Sequence, residues 1–378
     1  MASVASTRSL AVPFLDLTPV NAAVKDDVLA AASGLIDRNE FGSGAAVQAF
    51  EDEFAAYCES AHAVGLASGL DALRLALLAL GIGRGDEVIV PANTFVATFE
   101  AVSQTAARPV VVDVSEDDDN IDVAAAEAAV TKRTRAILPV HLYGQMADVV
   151  ALEALASARG LTLVEDACQA HGARRDGIRA GSAGRAAAFS FYPAKNLGAM
   201  GDAGALVTDD LELAERVRAL REHGQRAKYR HDFEGFTSRL DALQAAVLSA
   251  KLPHLDRWNA NRQEAASTYL AELDGLGDLR LPPVARGSIP VWHLFVVRTE
   301  SRAQLQEFLI RRGIQTGRHY PEPPHLSPAY RWLGHGVGAF PVAEAVSKEG
   351  LSLPLFPGMT EEHLVTVIEA IKEFFARG

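Results

Sequence analysis

The sequence is poor in cysteine and has no long hydrophobic segment. Its 378 residues include two cysteines, Cys58 and Cys168, and one pair cannot form the disulfide framework of a small secreted protein. No stretch of about 18 uncharged apolar residues occurs, so we expect no transmembrane helix. The N-terminal segment "MASVASTRSLAVPFLDL" lacks the apolar core of a signal peptide. We therefore expect a cytoplasmic protein.

Basic surface is also scarce. The formal net charge is −12, whereas proteins that bind nucleic acid or anionic membranes usually carry a basic stripe. The nearest candidates, "RRGIQTGRHY" and "RAKYRH", are short. They fit solvated surface charge or a site for a small anionic ligand, and we expect neither a nucleic-acid nor a membrane partner.

Several common catalytic motifs are missing. "GIGRGDE" at 81–87 does not match the G-x-G-x-x-G dinucleotide fingerprint. The sequence has no Walker A motif, no G-x-S-x-G elbow and no Cys/His spacing typical of a metal site. These absences argue against a nucleotide-binding P-loop, an α/β-hydrolase and a metalloenzyme.

What the sequence does contain is a regular alternation of apolar runs and helical patterns. Continuous runs at 62–68, 87–91, 108–114, 136–142, 161–166, 186–192 and 204–210 predict strands buried on both faces. Helical segments between most of them predict an α/β fold with a mostly parallel sheet. Only a glycine-rich loop separates the last two runs, so we expect one of these strands to be antiparallel.

The pattern changes after Asp241. A long helical region follows, and Pro253 should break it. A strand at 291–297, a helix capped by Ser301 with Gln304, and a last helix at 361–376 predict a smaller α+β domain. The sequence thus predicts a large domain over residues 1–250 and a small C-terminal domain over 251–378.

The ends of the first two strands carry features that suit a ligand. Ligands of open parallel sheets bind beyond the carboxyl ends of the strands. Ser68 and Gly69 lead directly into a helix, whose N-terminus can bind phosphate. Phe95 follows the second strand and fits either a core position or a ring that stacks on a flat ligand.

The fifth and sixth strands end in candidate polar groups. Asp166 fits a helix cap or a partner for a protonated ring nitrogen, and Gln169 follows it. Ser190 and Lys195 follow the sixth strand, and Lys195 fits a surface lysine or a desolvated Schiff-base nucleophile. Together, a phosphate turn, an aromatic ring, a carboxylate and a lysine supply what pyridoxal 5'-phosphate (PLP) requires.

Four longer segments resemble the DegT/DnrJ/EryC1/StrS family of PLP-dependent sugar aminotransferases. They are "GDEVIVPANTFVAT", "VEDACQAHGA", "FSFYPAKNLGAMGDAGALVTDD" and "SRLDALQAAVL". The similarity extends from about Phe14 to the C-terminus. It implies the aspartate aminotransferase-like architecture (PLP fold type I) and a homodimer whose active sites are shared between subunits.

The resemblance also implies roles for individual residues. Lys195 forms the Schiff base with PLP and moves protons, Asp166 pairs with the pyridine nitrogen, and Phe95 stacks on the ring. Gln169 reaches the phenolic oxygen, while the phosphate contacts come from Gly69, Leu70, Asp71 and Ser190. Leu70 stands where many relatives have threonine. Thr237 stands where relatives often have an asparagine that reaches the neighbouring subunit's cofactor phosphate.

The predicted reaction is the ping-pong amination of a nucleotide-linked keto-deoxysugar by L-glutamate. "PVHLYGQ", "VWHLFVV" and "GRHYPEPPHLSPAY" resemble members that aminate C3 of dTDP-linked 3-keto-6-deoxyhexoses. Candidates for the sugar pocket are Tyr192, His319, Tyr320 and His325, and candidates for the diphosphate are Arg230 and Arg318. The alternatives are a C4 aminotransferase, an inosose aminotransferase, a sugar dehydrase, and a PLP-binding regulator without enzymatic activity.

Overall fold

The computed structural model describes residues 12–377. The helices are α1 (Thr18–Arg38), α2 (Ala45–Tyr57), α3 (Gly69–Ala79), α4 (Val96–Ser103), α5 (Val123–Ala128), α6 (Val149–Arg159), α7 (Leu211–Arg221), α8 (Ala242–Lys251), α9 (Leu255–Glu272), α10 (Arg302–Arg311), α11 (Pro341–Glu349) and α12 (Glu361–Ala376). The strands are β1 (His62–Leu66), β2 (Glu87–Pro91), β3 (Arg108–Val112), β4 (Thr134–Ile137), β5 (Thr162–Asp166), β6 (Arg174–Arg175), β7 (Ile178–Arg179), β8 (Ala186–Ser190), β9 (Gly204–Thr208), β10 (Gln225–Ala227), β11 (Arg230–His231), β12 (Ser288–Ile289), β13 (Phe295–Arg298) and β14 (Gly350–Leu353).

A seven-stranded sheet with the order β1-β9-β8-β5-β4-β2-β3 forms the centre of the fold. Strands β2 to β5 and β8 pair in parallel, while β9 is antiparallel to both of its neighbours, β1 and β8. The predicted mostly parallel sheet with one antiparallel strand is therefore confirmed. Because β9 follows β8 through a loop, the chain needs no crossover helix at this point.

Helices cover both faces of this sheet. Side chains of α3, α4 and α7, such as Leu73, Phe99 and Val217, pack in one buried cluster. Side chains of α2 and α8, such as Phe54 and Leu248, pack in another. The strands are buried on both faces, which explains why they read as unbroken Val, Ile, Leu and Ala runs.

A separate hydrophobic core lies in the C-terminal part. Side chains from α9, α10 and α12 surround the antiparallel pair β13–β14, and Phe295 lies at its centre. The segment that carries Tyr330, Leu333 and Phe340 instead packs on the core of the large sheet. A domain boundary at residue 250 stays a prediction.

Several local predictions can be compared directly with the structure. Gly160 adopts the left-handed conformation (φ 64°) at the end of α6, as expected of a C-cap. Pro253 lies in a 3₁₀ turn that separates α8 from α9. Two predictions were wrong. The Ser301 side chain caps nothing, and its N–H donates to Thr299 Oγ1 (3.1 Å). The strand predicted from residue 291 begins at Phe295.

Among the helices of residues 12–377, none is long and apolar enough to cross a membrane.

Candidate functional site

A cavity of about 370 Å³ lies at the carboxyl ends of β1, β2, β5 and β8. Residues that follow these strands meet there, as expected of an open parallel sheet. His319 and Tyr320, from the C-terminal part of the chain, close it on another side. The lining consists of Ser68, Gly69, Leu70, Leu73, Thr94, Phe95, Ala97, Val140, Asp166, Cys168, Gln169, Ser190, Tyr192, Ala194, Lys195, Asp202, His293, His319 and Tyr320.

The N-terminus of α3 opens into this cavity. Ser68 caps the helix by accepting a hydrogen bond from the Asp71 N–H (3.1 Å). A Cβ on Gly69 would lie 2.6 Å from Cys168 Sγ and 2.7 Å from the Ser190 Cβ, so only glycine fits. The exposed N–H groups and the helix dipole suit a phosphate.

Asp71 differs from Gly69 and Leu70 in its orientation. Its carboxylate pairs with Arg74 and accepts a hydrogen bond from Ser238 Oγ (2.7 Å), and it does not line the cavity. The Asp71 side chain is therefore not placed to contact a phosphate in this cavity.

Asp166 is a buried carboxylate at the end of β5. One oxygen accepts a hydrogen bond from Thr98 Oγ1 (2.8 Å), and the other accepts one from the Cys168 N–H (3.2 Å). These two donors fix the plane of the carboxylate and leave lone pairs that face the cavity. The arrangement suits a partner for a protonated ring nitrogen.

Lys195 reaches the same cavity from the loop after β8. Its backbone N–H donates to the Tyr192 carbonyl (2.8 Å), while its Nζ has no hydrogen-bond partner within residues 12–377. Burial lowers the pKa of the Lys195 ammonium, although Cys168 and Asp166 oppose this effect. A lowered pKa increases the share of neutral, nucleophilic amine.

The loop that carries Lys195 is held firmly. The buried Lys251 donates to the Gly198 carbonyl (2.7 Å), and the Ala199 N–H donates to the Phe191 carbonyl (2.8 Å). A Cβ on Gly198 would lie 2.3 Å from the Pro193 carbonyl oxygen. The glycine therefore permits the tight turn that directs Lys195 into the cavity.

Phe95 and Gln169 flank the space between Asp166 and Lys195. Phe95 is 50% exposed, so it is not a core residue, and its ring lies 5.2 Å from that of Tyr320. Gln169 Oε1 accepts from the Tyr143 N–H (2.7 Å), and Nε2 donates to the Tyr320 hydroxyl (3.0 Å). The amide orientation is thereby fixed, and one N–H of Gln169 remains for a ligand oxygen.

Only some of the predicted substrate residues reach this cavity. Tyr192, His319 and Tyr320 line it. Burial, and then Lys195, lowers the pKa of His319 to about 4, so its imidazole is neutral at physiological pH. His319 Nδ1 is hydrogen-bonded to Ser352 Oγ (2.8 Å), which fixes the ring.

The other predicted residues lie elsewhere in the chain. Arg230 is an exposed residue of the β10–β11 hairpin and pairs with Asp232, and Thr237 is hydrogen-bonded to His223 Nε2 (3.0 Å). Arg318 donates to the carbonyls of Pro321 and Ser347. His325 is 0% exposed, because a 3₁₀ turn directs it against Glu344 (3.3 Å).

Sequence reasoning gave no role to Thr98, His293 or Cys168. Thr98 lies on α4, and its hydroxyl is hydrogen-bonded to that of Thr94, which precedes the helix (2.7 Å). His293 lines the cavity, and its Nδ1 is hydrogen-bonded to Asn196 Oδ1 (3.2 Å). Cys168 lies beside Gly69. His293 lies within "VWHLFVV", a segment that was associated with the sugar substrate without this residue being named.

The residues present fit PLP. A glycine helix N-terminus suits the phosphate, Asp166 suits the ring nitrogen, Phe95 offers a ring face, and Lys195 offers a partly desolvated amine. All four lie on one cavity, although 126 positions separate Gly69 from Lys195 (195 − 69).

Comparisons with known proteins point to one family. A family model described as the DegT/DnrJ/EryC1/StrS aminotransferase family matches residues 23–372. The dTDP-3-amino-3,4,6-trideoxy-alpha-D-glucose transaminase of Streptomyces venezuelae is 51% identical over 366 residues, 97% of each chain. The erythromycin biosynthesis sensory transduction protein EryC1 of Saccharopolyspora erythraea is 52% identical over 96% of this chain and 99% of that protein.

A solved structure is similar over almost the same length. The crystal structure of S. venezuelae DesV in complex with a ketimine intermediate superposes with a TM-score of 0.95 and is 52% identical. The match covers 97% of this chain and 99% of that chain.

Proposed function

The chain belongs to the DegT/DnrJ/EryC1/StrS aminotransferase family, and we propose that it aminates C3 of a dTDP-linked keto-deoxysugar with L-glutamate as the amino donor. PLP is its cofactor, and the fold is that of PLP fold type I. The observation that carries the proposal is that Lys195 and Asp166 line one cavity with the α3 N-terminus. The substrate class follows from the 3-aminosugar transaminase of S. venezuelae.

Each of these residues has a separate role in holding PLP. PLP supplies an electron sink that is conjugated to the nitrogen being transferred. Asp166, whose carboxylate is held by Thr98 and the Cys168 N–H, would keep the ring nitrogen of PLP protonated, and Phe95 and Gln169 would contact the ring. The backbone N–H groups at Gly69 and Leu70 would bind its phosphate.

Lys195 moves the protons. In the donor half-reaction its Nζ accepts the α-proton of glutamate, and in the acceptor half-reaction it delivers a proton to C3 of the sugar. Both half-reactions use the same cavity, so the donor product leaves before the sugar enters, which is a ping-pong mechanism. The neutral His319 and the hydroxyl of Tyr320 offer hydrogen bonds to sugar hydroxyl groups.

A non-enzymatic regulator that binds PLP would need the phosphate site but would not need to keep Lys195 and Asp166 together. Retention of Lys195 and Asp166 in one cavity favours an enzyme. Purified protein loaded with PLP should lose its lysine-bound PLP absorbance when glutamate is added and release 2-oxoglutarate. If Lys195→Ala retains the same spectrum and turnover, the proposed role of Lys195 is wrong.

We also propose a homodimer in which residues cross between active sites. The support is the exposure of several large apolar side chains, Leu29, Ile36, Phe41 and Met200. Tyr192, at the rim of the cavity, is also exposed. Leu29 and Met200 line one surface groove, and a monomer rarely exposes a large contiguous apolar patch. Arg230 and Thr237 would then act in the partner's site, and light scattering should give twice the 40.3 kDa chain mass.

We propose a cytoplasmic location as well, because Cys58 and Cys168 both carry free thiols.

A further inference from the structure

Arg262, on α9, carries a buried guanidinium without an acidic partner. The residue is 2% exposed, and no carboxylate within residues 12–377 forms an ion pair with it. Its Nη1 donates to the carbonyls of Leu355 (2.8 Å), Trp292 (3.2 Å) and His293 (3.4 Å), while its Nε has no hydrogen-bond partner. A buried cation in this state is costly unless an anion joins it.

The guanidinium borders a small cavity of about 80 Å³. The walls are mostly apolar and consist of Phe14, Leu15, Ala194, Leu294, Leu353 and Leu355 together with His293 and His319. About 10–15 Å³ of such volume is enough for one water molecule, so the space suits a short aliphatic chain rather than a hexose ring. We call it the Arg262 cavity.

The Arg262 cavity adjoins the active-site cavity. Ala194, His293 and His319 line both, and Ala194 directly precedes Lys195. The pKa of His293 is lowered by burial, then by Lys195 and then by Arg262, so the ring lies within electrostatic reach of both cations. Ala194, His293 and His319 thus form the wall that the two cavities share.

We propose that the Arg262 cavity binds the distal carboxylate of a dicarboxylic amino donor, with the reacting carbon at Lys195. This inference rests on the proposed function. The distal carboxylate fits better than the α-carboxylate, because two methylene groups separate it from the reacting carbon, whereas the α-carboxylate is attached to that carbon and stays in the active-site cavity. The leucine walls would contact the methylene groups, and Arg262 Nη2, which donates to no group within residues 12–377, would donate a charge-assisted hydrogen bond.

This arrangement selects the donor. Burial lowers the pKa of Arg262 to about 10, so the guanidinium stays charged at neutral pH. A donor with a neutral side chain, such as glutamine, would leave the Arg262 guanidinium unpaired. A site whose buried polar group is left unpaired by the wrong substrate discriminates strongly against that substrate. His293 and His319 are neutral, so among the side chains that line the Arg262 cavity the positive charge comes from Arg262.

The test measures the two half-reactions separately in the PLP-loaded protein. Arg262→Met should raise the KM for glutamate about 100-fold, the loss typical of truncating one partner of a buried charge pair. Arg262→Lys should raise the KM for glutamate about tenfold, because lysine keeps the positive charge but lacks the planar guanidinium. The acceptor half-reaction, started from the aminated cofactor, should keep its rate and its KM for the keto-sugar.

Glutamine provides the donor control. Arg262→Met should lower the ratio of glutamate to glutamine efficiency about 100-fold, since glutamine never paired with the guanidinium. Arg257→Met makes the same substitution on the exposed face of α9 and should change neither half-reaction. If Arg262→Met fails to fold, Leu15→Phe narrows the cavity without touching the guanidinium and should show the same donor-selective loss.

Three results would overturn the inference. If Arg262→Met lowers the donor half-reaction equally with glutamate and with glutamine, Arg262 binds the α-carboxylate or has only a structural role. Parallel losses in both half-reactions would indicate a general distortion of the site. Unchanged donor kinetics in Arg262→Met would show that no carboxylate binds there. If the wild type transaminates with neither glutamate nor any keto-sugar, the proposed function itself fails.

Discussion

At the scale of single residues, the site depends on two groups held by different means. Asp166 is fixed by hydrogen bonds from Thr98 and the Cys168 N–H. Lys195 makes no side-chain hydrogen bond in the described part of the chain, and its position follows from its loop. A residue that is held only by its backbone can move between partners, as a proton carrier must.

Replacing Lys195 should therefore abolish activity with little change in stability. Lys195→Ala should lower kcat about 10⁴-fold, because a positioned proton carrier contributes on that order. The midpoint of thermal unfolding should shift little, since no hydrogen bond of Nζ is lost. The control Lys132→Ala removes an exposed lysine. Full activity in Lys195→Ala would contradict the mechanism.

Thr98 is expected to matter through Asp166. Thr98→Val preserves shape but removes the 2.8 Å hydrogen bond to the carboxylate, and a hydrogen bond to a charged group contributes about 1.5–3 kcal/mol. We expect kcat to fall about 10- to 100-fold with an unchanged KM for the sugar. Thr105→Val, which removes a buried hydroxyl bonded only to the Val102 carbonyl and the Ala107 N–H, is the matched control. Equal kinetics for both variants would exclude this positioning role.

At the scale of elements, α3 and β8 approach each other closely in the site. Gly69 begins the helix, and Ser190 ends the strand beside it. Gly69→Ala would place a methyl group within 2.7 Å of Cys168 Sγ and the Ser190 Cβ, and overpacking of this kind costs about 1–3 kcal/mol.

We expect Gly69→Ala to weaken PLP binding about 10- to 100-fold, since the α3 N-terminus must shift away from the phosphate. Titration of the apoprotein with PLP, followed by absorbance, measures this affinity. Gly336→Ala is the control, because a Cβ there would meet no atom within 4 Å. Unchanged affinity in Gly69→Ala would contradict the assignment of the phosphate site.

The elements were predicted best where the signal was local. The apolar runs gave the seven central strands, and Gly160 and Pro253 marked helix ends correctly. The Ser301 cap was wrong because Thr299 and Asp278 supply the hydrogen bonds at that end of α10. The strand before Phe295 was wrong because Val291 and Leu294 donate their N–H groups to the loop at Tyr143 and Gly144.

At the scale of the whole molecule, the site joins distant parts of the chain. Phe95, Asp166 and Lys195 could be placed from the sequence because successive strand ends must meet. His293 was not singled out, because no local pattern shows that it reaches the strand ends, and His319 and Tyr320 were expected there only from the family resemblance. The exposed Arg230 and Thr237 likewise depend on what faces them, which one chain does not specify.

The buried histidines predict acid sensitivity of the fold. Burial lowers the pKa of His171 to about 3, and both of its ring nitrogens lack partners in the described structure. The unfolded chain binds protons near pH 6.5 and the folded chain does not, so the free energy of unfolding falls as pH decreases below 6.5. Each such histidine contributes up to about 1.4 kcal/mol per pH unit.

Urea unfolding between pH 7.5 and 5 measures this slope. His171→Phe, which removes the titrating group, should reduce it by about 1 kcal/mol per pH unit. An identical slope in the variant would show that His171 does not titrate differently in the two states.

The position of the new amine tests the central claim most directly. The PLP-loaded protein is incubated with ¹⁵N-labelled L-glutamate and a dTDP-linked 3-keto-6-deoxyhexose, and the product is examined by ¹H–¹⁵N NMR. We predict the label on C3, and no product from Lys195→Ala. A label on C4, or no labelled sugar from any keto-sugar supplied, would contradict the assignment of this protein as a C3 aminotransferase.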